Sequence, residues 1–573
     1  MRPTPPPPAA APVAVPSWLH PAVLALAGFS LLCWFSAAFQ SNDGWWHLEM
    51  GKYILEHHRL PLPDPFSFST YLRGPAYPGE EVVRHFNLTH EWLAEVFFFA
   101  IYRVGGYGAV VLFRALVLIA ACAAVGLMVW RRTGRFYLTA AAALAPASVL
   151  YLTAADRPQI FTILFAAVFL LILDARRPLW LLPPLALVWA NCHGGFIIAW
   201  ILVGVFCAEA LWQRLHGKPP ADERRIWLAS TATILLSLAN PNGWNAIATI
   251  LYYRHSHMLS VIAEWRPTVL WPPGGFVLLL AAGALALLWA RGKARFADVL
   301  LFALFGVAGI YAVRNIVFVA LLAPVVIATY LPWKTRRLVP AVEFVLAAAI
   351  LGIGVARVAQ GKALEFEPME ATRPAGAADF LLQHHVTGRI YNHLEHGGYL
   401  MWRLWPQNQV FVDGRLLNET VYRDYRLVTY NLDAGKPPLQ ILDDYGIQAV
   451  VVTGFEYVLG GPHVLMPALA APGQTAWKLV YRDKVAAIFM RQPPVGVNPL
   501  PNSEAIVAMQ EQCAEHIRVM PSEPGCAKGM ANLMAYSKDM TGARRWMAFY
   551  LEHKVEPDPD AERQYEMMLS GGR

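Results

Sequence analysis

Between residues 20 and 357 the chain alternates long apolar runs with short polar breaks. A membrane-crossing helix needs about 20 mostly apolar residues, or about 17 at the short end. That rule predicts spans at 20–39, 107–130, 136–155, 159–174, 179–191, 195–213, 226–239, 275–290, 297–313, 315–332 and 338–357. The break at 40–106 is far longer than the others. Inside it Trp45–His58 has helical apolar spacing and suits a helix lying along the membrane surface, with tryptophans as interfacial anchors. Leu60–Thr70, with three prolines, reads as an extended, turn-rich link, and Glu91–Val104 resumes a helical pattern ended by Gly105-Gly106.

After Gln360 the pattern changes. Strand-like runs occur at Arg389–Tyr391, Gln409–Val412, Ala449–Val452, Lys478–Tyr481 and Ala486–Met490, with helical patterns at Gly376–His384 and Leu439–Tyr445. The expected fold class is therefore a polytopic α-helical membrane protein of about eleven transmembrane helices with a C-terminal extracytoplasmic α/β domain and terminal helices. The expected domains are a disordered tail at 1–18, a transmembrane domain at 19–358 holding the first outer loop 40–106, an α/β domain at 359–492, and a helical segment at 493–573 that opens on the linker Pro493–Pro501.

Composition agrees: 56% of residues are hydrophobic and only 15% charged, against about 25% charged in soluble domains. The positive charge sits in every second short loop, at Arg131-Arg132-Arg135, Arg176-Arg177, Arg214/Lys218/Arg224/Arg225, Arg291/Lys293/Arg295 and Lys334/Arg336/Arg337. By the positive-inside rule these loops are cytoplasmic, which places the N-terminus inside and the C-terminal domain outside. They also account for the basic balance. No basic stripe with interleaved aromatics marks a nucleic-acid surface in the soluble part. Cys513 and Cys526 fall in the outer region, where a disulfide can persist, and a bridge is preferred to two free thiols.

With that orientation, all histidines except His20 and His216 fall outside. The outer ends of the spans collect Asp43, His47, His90-Glu91, Asp156-Arg157, Asn191, His193, Asn240, Asn242, His255, His257, Glu264 and Arg314-Asn315. Polar groups desolvated at span ends are costly and face cavities or partners. Asp43, just after the first span and beside two tryptophans, is the candidate base, against a structural role at the start of the following helix. Glu91 is the second candidate catalytic acid, against an ordinary helix-start acid. His255-x-His257 lacks a fixed third ligand for a metal. Asp413-Gly414-Arg415 most simply makes a turn after a strand. No phosphate-cradling glycine motif is present, which argues against a nucleotide-driven pump or a nucleotide-sugar donor.

These motifs resemble a known group. Asn42-Asp43-Gly44-Trp45-Trp46-His47-Leu48, Asp64-Pro65-Phe66-Ser67 and His90-Glu91-Trp92-Leu93 are similar to the first-loop signature of bacterial GT-C-type membrane glycosyltransferases. Arg157-Pro158-Gln159, Trp189-Ala190-Asn191-Cys192-His193-Gly194-Gly195 and Asn240-Pro241-Asn242-Gly243 continue the resemblance. Gly397-Gly398-Tyr399-Leu400 and Val412-Asp413-Gly414-Arg415 extend it to about residue 490. The resemblance implies transfer of a sugar from a polyprenyl-phosphate carrier to a protein, lipid or glycan acceptor. It further implies that Asp43 is the base or a metal ligand, since an acidic residue early in the first loop has that role in the superfamily.

A single Asp in place of a two-acid string leaves a divalent metal open. Arg157 and Arg314 are the candidates for stabilising the leaving phosphate. His47, His90, Asn191 and His193 are further substrate-binding candidates. One-base direct displacement implies inversion at the anomeric carbon. Two other classes compete: a lipid or sugar transporter, which calls for ionisable groups in mid-span and polar features on both faces, and a non-catalytic scaffold binding partners through its outer domain.

Overall fold

The computed structural model describes residues 19–39, 41–153, 155–258, 262–333, 340–370, 373–431, 436–456 and 460–570. The tail at 1–18 and the basic cluster Lys334/Arg336/Arg337 lie outside the described residues. Among the described residues, each predicted span overlaps a helix, although 136–155 is divided into Phe136–Leu144 and Ala147–Thr153. Among the described residues, three helical stretches are long and apolar enough to cross a membrane: Glu80–Thr133, Gly194–Leu215 and Val313–Tyr330. Seven more apolar helices are shorter, among them Gln159–Ala175, Gly275–Trp289 and Phe296–Tyr311. The segment predicted at 226–239 is helical (Glu223–Ser237) but stands outside both groups. It starts on three charged residues and carries Ser230, Thr231, Thr233 and Ser237.

The long first loop is more ordered than its sequence suggests. The expected surface helix is Asn42–His57. A second helix, Glu80–Thr89, was not foreseen. A third, Trp92–Thr133, continues into a span but breaks at Gly105 and Gly106, where Gly106 has φ +62°. Only glycine takes that left-handed conformation without a steric cost, so the break is written into the sequence. It divides an arm, Trp92–Val104, from the spanning part that follows.

At the face remote from the sheet, the basic loops are not simply solvated. Arg132 bridges Asp174 and Asp298, Arg295 bridges Asp174 and Glu209, and Arg176 joins Glu209 to Asp222. These shared carboxylates clasp the helix ends together.

The C-terminal half is built on a four-stranded sheet of order β1-β2-β4-β3, with β1 Ile390–Asn392, β2 Ala449–Val452, β3 Lys478–Arg482 and β4 Ala487–Met490. β1 and β2 are parallel; the other pairs are antiparallel. Both faces of β2 are buried: Ala449 and Val451 join the core shared with the span helices, while Val450 and Val452 join a core shared with the terminal helices. One expectation is corrected. Gln409–Val412 is not a sheet strand; it makes a single parallel bridge, Ser67 to Val410, with the first loop. Four helices close the chain, Ser503–Val519, Gly525–Tyr536, Met540–His553 and Pro559–Leu569, and the Cys513–Cys526 disulfide ties the first two.

Behind β1 three buried imidazoles meet. His393 stacks on His463 with ring centroids 4.1 Å apart and stands edge-on to His396 at 6.5 Å. Among the described residues, Nδ1 of His396 has no hydrogen-bond partner. The surrounding rings are Tyr391, Tyr425 and Tyr430, which offer no counter-charge. Burial pushes His396 and His463 down to about 4 and His393 well below its ordinary value.

The unfolded chain therefore binds protons that the fold refuses below about pH 6.5, so stability is full above that value and is lost as pH falls toward 4. Each imidazole contributes a slope of about 1.4 kcal/mol per pH unit in that window. Thermal melts between pH 7 and pH 4.5 are expected to show a steep fall, and His463→Phe is expected to flatten it. A melting temperature independent of pH over this range would contradict the assignment.

Candidate functional site

The Asn42–His57 helix presents Asp43 and His47 one turn apart, so both face the same way. Asp43 is held on two sides. Its Oδ1 accepts a hydrogen bond from Trp46 Nε1 at 3.1 Å, and its Oδ2 meets Arg157 Nη2 at 3.0 Å. Arg157 also reaches Glu264 Oε1 at 2.6 Å and donates from Nε to Ser41 Oγ at 3.1 Å. An acid–arginine–acid chain thus links the first loop to the segment that follows residue 262.

One turn further on, His47 enters a second cluster centred on Glu91. Glu91 Oε1 lies 3.4 Å from His90 Nε2 and 3.5 Å from His193 Nε2, and Oε2 lies 3.8 Å from His47 Nδ1. His47 Nδ1 also meets Glu95 Oε1 at 3.3 Å. Close backbone approach makes this meeting possible: a methyl at Gly51 would sit 2.1 Å from the Glu95 carbonyl oxygen. Only a residue without a side chain lets the surface helix press this tightly on the Trp92–Val104 arm.

The hydrogen-bond partners fix the imidazole tautomers. His193 Nδ1 accepts from the Gly195 N–H at 2.9 Å and faces the Thr162 hydroxyl at 2.8 Å. The Trp189 indole N–H donates to Thr162 Oγ1, which leaves the hydroxyl proton for His193. His193 Nε2 therefore carries a proton toward Glu91. His90 Nδ1 must donate to the Phe86 carbonyl at 2.8 Å. A neutral His90 would then turn a bare Nε2 on the Glu91 carboxylate, lone pair against lone pair. A proton or a cation between them removes that repulsion.

Burial lowers His47 to about 3 and His193 to about 4, so both are neutral near pH 7. Burial alone would raise Glu91, but His90, His47 and His193 outweigh it and hold the carboxyl low. Glu95, buried beside Glu91, is raised well above the usual carboxylate range. The cluster thus pushes two acids four residues apart in opposite directions, Glu91 down and Glu95 up.

His47, Glu91 and Glu95 are the one group among the described residues whose ligand atoms lie close enough together to share a metal ion. Among the described residues Glu95 Oε2 is buried without a hydrogen-bond partner, and His90 Nε2 adjoins the group, 3.4 Å from Glu91 Oε1. Mixed imidazole and carboxylate donors suit a divalent first-row ion. His255 and His257 form no such group, and Asp43 turns to Arg157 instead.

The remaining predicted residues divide in two. Arg314 lies over Trp265 at 4.3 Å, has no ion-pair or hydrogen-bond partner for its guanidinium among the described residues, and is within electrostatic range of Glu264 and Glu91. Asn191 is committed to structure: it accepts from Trp92 Nε1 and donates to the Leu187 and Ala239 carbonyls. Glu95 was missed because it sits within an apolar run. Its signal was the i,i+4 spacing from Glu91 on a helix whose other face is greasy.

No family model matches the sequence, and no curated protein matches it. Among solved structures, the archaeal oligosaccharyltransferase AglB from Archaeoglobus fulgidus, determined in complex with an inhibitory peptide and a dolichol-phosphate, superposes on 94% of this chain and 86% of its own, with a TM-score of 0.54 and 12% identity. At that identity the likeness establishes the fold: this chain has an AglB-like architecture, mostly helical with a small mixed sheet in its C-terminal half. With its apolar helices, that fold points to a multi-pass membrane protein.

Proposed function

We propose that the protein transfers a sugar from a polyprenyl-phosphate carrier to an acceptor hydroxyl at the outer face of the cytoplasmic membrane, inverting the anomeric carbon, with Asp43 as the base. The observation that carries this is the Asp43–Arg157–Glu264 chain set beside the Glu91 histidine cluster on the first loop of an AglB-like fold. A carboxylate, a cation and a polar cluster then adjoin one another on the first turns of the Asn42–His57 helix.

In this reading the acceptor oxygen forms its bond to the anomeric carbon as the bond to the phosphate oxygen breaks. The electron pair leaves on the phosphate, and the hydroxyl proton passes to Asp43. At rest the Asp43 carboxylate is occupied by Arg157. As charge grows on the leaving phosphate, Arg157 has a stronger partner than Asp43 and turns to it, and the freed carboxylate takes the proton. Arg314, whose guanidinium has no acceptor among the described residues, is the second cation for the phosphate. His47, Glu91 and Glu95 would hold a divalent ion, which supplies positive charge near that phosphate when bound. The α/β half covers the site or holds the acceptor.

The test is reconstitution with polyprenyl-phosphate sugars and candidate protein, lipid and glycan acceptors. Transfer from at least one donor is expected, and failure on every donor would favour a transporter or a scaffold. The metal group is checked separately from activity. Elemental analysis of protein purified with manganese or zinc is expected to show bound metal that falls at least about tenfold in Glu95→Gln. Equal metal content in both proteins would remove that ligand set.

A further inference from the structure

The geometry points to the Asp413-Gly414-Arg415 turn as the seat of the Asp43 carboxylate, which makes Gly414 a positioning residue for the transfer reaction. This rests on the function proposed above. A methyl group at Gly414 would lie 2.1 Å from Asp43 Oδ1, 3.1 Å from its Cγ and 3.1 Å from Trp46 Nε1. The backbone of Gly414 does not have a positive φ, so conformation does not demand glycine there. Space does. Gly398 repeats the pattern one layer away: it is helical, and a methyl on it would lie 2.5 Å from the Asn42 carbonyl oxygen. Gly397 lets the same helix, Leu394–Leu404, press on the turn itself, with 2.1 Å from its added methyl to the Val412 carbonyl oxygen. Three layers therefore stack without side chains between them: that helix, the 412–415 turn, and the first turn of the Asn42–His57 helix.

The turn is itself rigidly held. Arg415, fully buried, donates Nε to Asp413 Oδ1 at 2.7 Å and Nη1 to Asp64 Oδ1 at 2.9 Å. Ser67 Oγ donates to Asp413 Oδ2 at 2.9 Å, and Asn87 Nδ2 donates to the Arg415 carbonyl at 3.2 Å. One indole N–H and one guanidinium leave a carboxylate free to swing away from them. The Gly414 backbone closes that side. A base must be held to within about 0.5 Å of its working position, and displacement by about 1 Å costs on the order of 10²-fold in rate. The α/β half thus completes a site whose ionisable groups all come from the membrane half.

Two measurements test this. In Asp43→Cys/Gly414→Cys, an intramolecular disulfide is expected, seen by mass spectrometry of the non-reduced full-length protein; the four unpaired native cysteines are all buried. Absence of the bridge under oxidising conditions would overturn the contact, whether or not the protein proves to be a transferase. In the reconstituted assay, Gly414→Ala is expected to lower kcat at least about thirtyfold with donor KM within about threefold. Asp43→Asn/Gly414→Ala is expected to be no slower than Asp43→Asn alone, because Gly414 acts only through Asp43. Wild-type kcat in Gly414→Ala, or additive losses in the double variant, would overturn the assignment. Should Gly414→Ala fail to fold, Gly398→Ala is judged by the same kcat and cycle criteria. Gly74→Ala, which adds a methyl in open space, is the neutral control. If the wild type transfers no sugar but the bridge forms, the function proposal fails and the seat stands.

Discussion

Asp43→Asn is expected to reduce sugar transfer by about 10²–10⁴-fold, the usual worth of a positioned base, while the protein folds and binds donor normally. Shape is conserved: the amide oxygen still accepts the Trp46 indole N–H, and Arg157 keeps Glu264 as a partner, so no buried charge is orphaned. What disappears is the ability to take a proton. Because Arg157 loses one competitor, donor KM should stay level or fall. The loss therefore belongs in kcat, which separates removal of a base from removal of a binding contact. Initial rates at saturating donor in proteoliposomes decide it. Undiminished transfer by a properly folded variant would remove Asp43 as the base.

Arg415→Leu should have the largest effect on stability of any single change at the junction of the two halves. The guanidinium answers both Asp64 and Asp413, all three being buried. Burial would raise the Asp413 carboxyl, but Arg415 outweighs that and holds it low. With leucine there, two carboxylates face each other in a dry interface, and breaking such a group costs about 3–5 kcal/mol. The first loop and the α/β half meet through this contact and a few others, including Arg84 to the Leu417 carbonyl and Glu80 to the Glu419 amide. Limited proteolysis should therefore cut the variant near residues 60–75 at concentrations of protease that spare the wild type. An unfolding free energy within about 1 kcal/mol of wild type would show that the pair is dispensable.

The membrane half was largely legible in the sequence, because apolar runs bounded by arginines have few structural outcomes. The sheet was legible where β-branched residues formed unbroken runs, as in Ala449–Val452. It misled at Gln409–Val412, where the same composition serves a single bridge because the neighbouring backbone is taken by Asn392, whose amide bonds both Phe411 and Val412. The helices Leu394–Leu404 and Glu419–Tyr430 escaped notice. Gly397-Gly398 weakens the first as a helix former, and its reason for being there is the close packing on the membrane half, a tertiary fact. In the site, Asp43, Glu91, His47, His90 and His193 could be gathered by face, since loop charge sorts the ends of the spans. Their pairing could not. That Asp43 pairs with Arg157, and that Glu95 joins His47, depends on tertiary contacts such as the close approach at Gly51.

Asp64 and its partner Arg415 are 351 residues apart in the chain. At synthesis rates of about 5–20 residues per second, the first loop emerges roughly 20–70 seconds before the turn that completes it. Throughout that interval Asp64, Ser67 and the glycine-facing side of Asp43 are without their folded partners. On the function proposed above, the nascent protein is therefore inactive. A product truncated before the 412–415 turn would carry every ionisable group of the proposed site and still lack the seat of its proposed base.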